Sequence, residues 1–174
     1  AQHFMRHLAA GLAFLYARQL IHRDIKPQNL LLTARADNAC LKIADFGFAR
    51  HLEAASLAET LCGSPLYMAP EILTFQRYDA KADLWSAGAV LFEMIAGRPP
   101  YNGQNQSELV HNIRTKEIRL PSGTRITQSC VAIIQMLLQR TPSRRATFER
   151  FLQAEFLRAP SSSQPLSGSS ERAT

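Results

Sequence analysis

Apolar residues Phe4, Leu8, Leu12, Leu15 and Tyr16 recur three or four positions apart, and this spacing predicts an amphipathic helix over residues 3 to 20. Leu30-Leu31-Leu32 and Leu41-Lys42-Ile43, with a polar break around Ala36-Asp37-Asn38 between them, predict two short strands joined by a turn. Residues 80 to 96 are largely apolar and are followed by Gly97 and Pro99-Pro100, which predicts a buried helix with an abrupt stop. Helical periodicity returns over 105 to 115, 127 to 139 and 147 to 157, with Pro142 separating the last two. The pattern is mainly α with one short β-hairpin.

Length and composition fit one domain: 174 residues, 46% of them apolar, suffice for a single core of ordinary size. Residues 1 to 158 carry the periodic pattern. From Ala159 the chain turns to Ser, Pro and Gly, so 159 to 174 are expected to be a disordered linker. Cys40, Cys62 and Cys130 are scattered without a pairing or metal-ligand spacing, which points to reduced thiols, and the five histidines are read as forming no H-x-x-x-H or similar pair, so no structural metal is expected. No apolar run reaches membrane-spanning length. The net charge of +6 invites a nucleic-acid partner, but the basic residues are spread through the helices and only Arg144-Arg145 are adjacent, so no nucleic acid is expected.

The chemistry is concentrated in three blocks in fixed order: Ile21-His22-Arg23-Asp24-Ile25-Lys26-Pro27-Gln28-Asn29, then Asp45-Phe46-Gly47, then Ala69-Pro70-Glu71. Transfer of a terminal phosphate from ATP needs a carboxylate to orient the attacking hydroxyl and oxygen ligands to hold Mg²⁺ on the phosphates. Asp24 supplies the first and Asn29 and Asp45 the second. Pro27 fixes its own φ and biases Lys26 away from helix, so Asp24 and Asn29 can face one pocket from one short loop. The predicted hairpin would return Asp45 to the side of Asn29. Two hard oxygen ligands from neighbouring loops suit Mg²⁺. Lys26, two residues after Asp24, can neutralise charge on the transferred group, and Leu31 can offer an apolar face beneath the adenine.

These blocks resemble the signature set of the eukaryotic protein kinases. The resemblance implies ATP and Mg²⁺ as co-substrate and cofactor, protein substrates, and Lys26 placed as in serine/threonine kinases. It also implies that Gly63-Ser64-Pro65-Leu66-Tyr67 lies beneath the accepting residue, with the Ser64 hydroxyl near Asp24 and Lys26. Asp83, in Asp83-Leu84-Trp85-Ser86-Ala87-Gly88, is placed as a structural support that accepts backbone hydrogen bonds from the catalytic loop. Arg145 is placed to pair with Glu71, and His22, Phe46 and Gly47 take structural positions in their motifs.

The run Asp45 to Arg50, the run Leu57 to Glu71 and the run Tyr78 to Ser86 look most like the Unc-51-like, autophagy-initiating kinases. That resemblance implies a cytoplasmic role in autophagy initiation, with proteins of the initiation complex as partners. No glycine-rich G-x-G-x-x-G occurs in the chain, so the expectation is a carboxy-terminal lobe with the nucleotide-covering lobe absent, inactive alone. A truncated or pseudokinase-like scaffold binding partners through its helices is the alternative. Thr60 lies where the resemblance puts the activating phosphosite, read by Arg23 with help from Arg50 or Lys42; Ser56 and Ser64 are the competing acceptors.

Overall fold

The computed structural model describes residues 1–51 and 64–158. The expected linker 159–174 and the positions Ser56, Thr60 and Cys62 lie outside the described residues. In chain order the elements are α1 (Gln2–Ala17), β1 (Leu20–Ile21), a 3-10 turn (Pro27–Asn29), β2 (Leu30–Leu32), β3 (Leu41–Ile43) and β4 (Arg50–His51). A second 3-10 turn (Pro65–Tyr67) follows, then α2 (Pro70–Leu73), α3 (Lys81–Ala96), α4 (Gln106–Thr115), α5 (Gln128–Leu137), α6 (Phe148–Leu152) and a last 3-10 turn (Glu155–Leu157).

Helix α3 is the axis of the domain. Every residue from Ala82 to Phe92 is buried, so this stretch has no solvent face and must be wrapped by other elements, and exposure returns only at the helix ends, with Met94 37% exposed. Its stop is the one the sequence predicts: Gly97 takes φ 69°, a left-handed conformation that costs glycine little, and its N–H donates to Glu93 O at 2.8 Å. Helices α4, α5 and α6 each begin on a side-chain cap, Asn105 accepting from Glu108 N, Thr127 from Cys130 N and Thr147 from Arg150 N. Each such cap stabilises a helix start by about 1 kcal/mol.

Around this axis, α1 carries the small sheet. The expected hairpin forms, with β2 and β3 antiparallel and Leu30 opposite Ile43, Leu31 opposite Lys42 and Leu32 opposite Leu41. Gly11 lets α1 lie close to it, since a Cβ there would stand 2.7 Å from Ile43 Cδ1.

Three local features depart from the periodic reading. Helix α1 ends at Ala17 rather than at residue 20, because Gln19 turns left-handed at φ 57° and Leu20-Ile21 pair antiparallel with Arg50-His51. Two-residue strands are too short to show a period. The helix expected over 147 to 157 breaks after Leu152: Ala154 is extended at ψ 134°, and the turn at Glu155–Leu157 buries Phe156 and Leu157. Helix α2, only four residues long, also carries no periodic signal and starts on Pro70 at its first position.

Candidate active site

The loop between β1 and β2 is suspended from α3 by one carboxylate. Asp83, buried in the first turn of α3, accepts from His22 N through Oδ2 at 2.8 Å and from Arg23 N through Oδ1 at 2.9 Å. Full burial pushes the Asp83 carboxyl up, and the two backbone donors and the positive charge of Arg23 pull against that. Asp83 thus stands where a structural support is expected.

His22 ties the same loop to the segment after β3. Its ring is closed to solvent; Nε2 donates to Ala44 O at 3.1 Å, and Nδ1 accepts from Asp24 N at 3.3 Å. Because a carbonyl only accepts and an amide only donates, these partners require a neutral ring with its proton on Nε2. The ring also meets the edge of Phe46, centroids 5.1 Å apart.

Asp24 sits at the centre. Its Oδ2 receives both Lys26 Nζ at 2.8 Å and Asn29 Nδ2 at 2.8 Å, and Asn29 Nδ2 also donates to Asp24 O at 2.8 Å. Asp24 and Asn29 are buried, with 5% and 7% of their surfaces exposed, while Oδ1 of Asp24 has no hydrogen-bond partner among the described residues. One oxygen is fixed and the other, among the described residues, is open to accept from a hydroxyl. The 3-10 turn that opens on Pro27 brings Asn29 back to Asp24, and Asn29 N closes it on Lys26 O at 3.0 Å.

The hairpin delivers Asp45 to this centre through Ala44 N, which donates to Asn29 O at 2.8 Å. Asp45 is left-handed at φ 60° and Arg23 at φ 70°. Aspartate tolerates this region and arginine does so at some cost, so backbone strain sits on both edges of the site. Asp45 Oδ1 accepts from Gly47 N at 3.2 Å and closes a local turn. Asp45 Oδ2 and Asn29 Oδ1 have no hydrogen-bond partner among the described residues, and as two hard oxygens on adjoining loops they fit a Mg²⁺ ion.

Other expected residues are placed more loosely. Leu31 and Phe46 are about half exposed, 55% and 51%. Ser64 opens the 3-10 turn with its carbonyl, which accepts from Tyr67 N at 3.2 Å; no hydrogen bond joins it to Asp24 or Lys26 among the described residues, and those two pair with each other. Arg23 Nε donates to Phe48 O at 2.5 Å and Nη1 to Tyr78 Oη at 3.2 Å, while its expected partner Thr60 lies outside the described residues. Arg145 and Glu71 form the expected buried pair.

Two contacts have no counterpart in the sequence reading. Tyr67 Oη donates to Glu93 Oε2 at 2.6 Å and Ser86 Oγ to Tyr67 O at 2.8 Å, which pins the segment after Ser64 onto α3. The partners of Tyr67 lie 26 and 19 residues away, so no local pattern shows the contacts. His3 and His7 stand four residues apart on α1, an H-x-x-x-H spacing that corrects the expectation of no such pair among the histidines.

No helix among the described residues is long and apolar enough to cross a membrane. A family model described as a protein kinase domain matches residues 1–157. The chain is 55% identical over 163 residues to serine/threonine-protein kinase ATG1a of Arabidopsis thaliana, a match that covers 92% of this chain and 26% of that protein. It is 55% identical over 159 residues to ATG1c of the same plant, covering 90% of this chain and 22% of that one. To the serine/threonine-protein kinase ATG1 of Beauveria bassiana it is 46% identical over 177 residues, covering 86% of this chain and 19% of the other. The chain therefore spans about a quarter or less of the length of these curated relatives.

Proposed function

The chain belongs to the protein kinase family, and on that premise we propose that residues 1–158 form the carboxy-terminal lobe of a serine/threonine kinase. The observation that carries this reading is the Asp24 carboxylate, clamped through Oδ2 by Lys26 and Asn29 with Oδ1 left open, next to a hairpin that brings Asp45 alongside Asn29. Asp24 Oδ1 accepts the hydrogen bond of a substrate serine or threonine and holds its oxygen toward the phosphate. Lys26, 2.8 Å from Asp24, is close enough to share its charge between that carboxylate and the transferred group. Asn29 Oδ1 and Asp45 are the residues that would hold Mg²⁺, which when bound neutralises charge on the phosphates. Leu31 supplies apolar surface for one face of the adenine.

The relatives' printed names support a serine/threonine kinase of the ATG1 group, so we place the whole protein in autophagy initiation in the cytoplasm, acting on protein substrates within an initiation complex. The nucleotide-covering lobe would come from another part of that protein. A scaffold has no need of Asp24, Lys26, Asn29 and Asp45 together, and no observation favours that reading.

The test is Asp24→Asn in the longer protein that carries this segment. Phosphate transfer to a serine or threonine peptide should fall about 100-fold or more, the scale of a lost general base, with the circular dichroism spectrum unchanged. Near wild-type turnover would overturn the assignment.

A further inference from the structure

His3, His7 and Gly11 stand at i, i+4 and i+8 of α1, one face of the helix, and that face lies on the β2–β3 hairpin. The contacts agree. His3 Nε2 donates to Ala39 O at 2.9 Å, Leu41 N donates to His7 Nδ1 at 3.1 Å, and Gly11 lies against Ile43. The two imidazoles meet edge to face with centroids 4.5 Å apart.

These partners fix the protons. The Ala39 carbonyl only accepts, so His3 carries its proton on Nε2. The Leu41 N–H only donates, so His7 presents a bare Nδ1 and holds its proton on Nε2. A metal fits poorly, because His7 could ligate through Nε2 only by losing its last proton while Nδ1 is already bare. No group of three His, Cys, Asp or Glu among the described residues is placed to hold one.

We propose that His7, with His3 beside it, is a positioning residue for Asp45: a proton-sensitive clasp that holds the hairpin to α1 while its ring is neutral and releases it when the ring is protonated. The link to Asp45 rests on the kinase reading; the clasp itself does not. Leu41 is the first residue of β3, two residues further on the strand ends at Ile43, and Ala44 N then bonds Asn29 O just before Asp45. A protonated His7 has no lone pair for Leu41 and would aim a second N–H at it, with His3 in ring contact. Of the other titratable or charged groups on the packed elements, Arg6 and Tyr16 lie on α1, Arg35, Asp37 and Cys40 on the turn and Lys42 on β3; none of them hydrogen-bonds or ion-pairs with either ring among the described residues.

The experiment reads Leu41 amide hydrogen exchange in this chain between pH 7.5 and 5.5, corrected for intrinsic exchange, in wild type, His7→Asn and His7→Ala. Asparagine places Oδ1 where histidine places Nδ1 and does not titrate. Wild-type protection should fall, by up to about tenfold, as the pH is lowered across this range, the scale of one lost hydrogen bond. His7→Asn should stay flat, and His7→Ala should be weakly protected throughout. A flat wild-type profile, or the same slope in His7→Asn, overturns the clasp. In the longer protein, phosphate transfer by wild type should drop relative to His7→Asn as the pH is lowered from 7.5 to 5.5; superimposable profiles of two active enzymes overturn the link to Asp45. Inactivity of both enzymes at every pH, with the Leu41 result standing, counts against the kinase reading instead.

Discussion

The Arg145 guanidinium meets the Glu71 carboxylate end-on, Nη1 to Oε1 at 2.7 Å and Nη2 to Oε2 at 2.9 Å, and the two side chains are 0% and 2% exposed. Arg145 also donates to Lys81 O at 2.9 Å and Gln139 O at 3.1 Å and lies over the Trp85 ring at 5.3 Å. One side chain therefore joins α2, the start of α3 and the connection between α5 and α6. Burial makes the pair poor evidence for net stability but makes half of it costly to lose, since a lone charge then remains in the core. Glu71→Gln or Arg145→Met should each destabilise the chain by about 3–5 kcal/mol in urea unfolding. Arg145→Lys should recover little, because an ammonium cannot present two parallel N–H groups to the carboxylate. A loss below about 1 kcal/mol for either single variant would show that the pair relaxes into water.

Tyr67 gives a stability signature at alkaline pH. Burial first, then its hydrogen bond to Glu93 and the charge of that carboxylate, hold the phenol well above its ordinary range. In the unfolded chain the phenol ionises near pH 10, while in the folded chain it stays protonated, so the folded state binds more protons there. The contribution of Tyr67 is therefore complete below about pH 10 and shrinks as the pH rises through the folded value. Tyr67→Phe should cost about 1.5–3 kcal/mol at pH 8, the worth of a hydrogen bond to a charged group, and the gap to wild type should narrow toward pH 11. A gap that stays constant over that interval would contradict the protonation assignment.

Gly88 faces α5 in the middle of α3, where a Cβ would stand 2.8 Å from Leu137 Cβ and 3.0 Å from Leu138 Cγ. In a free helix Gly88→Ala would stabilise by about 1 kcal/mol. Here the methyl group must push α5 outward, and overpacking of this kind costs about 1–3 kcal/mol. The expected result is a lower thermal midpoint for Gly88→Ala, and a midpoint at or above wild type would mean that α5 yields without cost.

How much of this could be read in the chain depends on the range of each signal. Helices α3, α4 and α5 were legible because periodicity and their end signals, such as Gly97, act within a few residues. The pairing of β2 with β3 followed from two apolar triplets and a polar turn, and with it came the juxtaposition of Asn29 and Asp45. Strands β1 and β4 were not legible: they are two residues long and are held by Gln19 turning left-handed. The bonds of Tyr67 to Glu93 and of His7 to Leu41 join residues 26 and 34 positions apart, where composition and spacing carry no information. Asp83 and Arg145 lie 61 and 74 residues from His22 and Glu71, yet both were expected, because the kinase resemblance supplies long-range pairings that local physics does not.

Thr60, outside the described residues, is the acceptor we propose for an activating phosphate, with Arg23 as its reader. Arg23 is prepared for this in one respect: Asp83 holds its backbone N–H, and the left-handed φ of 70° sets its direction beside Asp24. Two of its five side-chain N–H groups are engaged, by Phe48 O and Tyr78 Oη, and the others are open to an anion among the described residues. A phosphate on Thr60 would bring close to two negative charges at neutral pH and bond bidentately to such a fork. Pairing would tie the segment after Gly47 to the residue next to Asp24, so the phosphate would order the ground on which substrate lies. In the longer protein, Thr60→Ala should lower phosphate transfer at least tenfold, an estimate from one or two charge-assisted hydrogen bonds of about 1.5–3 kcal/mol each. Arg23→Ala should make phosphorylated and unphosphorylated forms equally active, whereas Ser56→Ala should leave the response intact. Full activity of Thr60→Ala, with mass spectrometry finding no phosphate on Thr60 in active wild type, would move the assignment to Ser56 or Ser64.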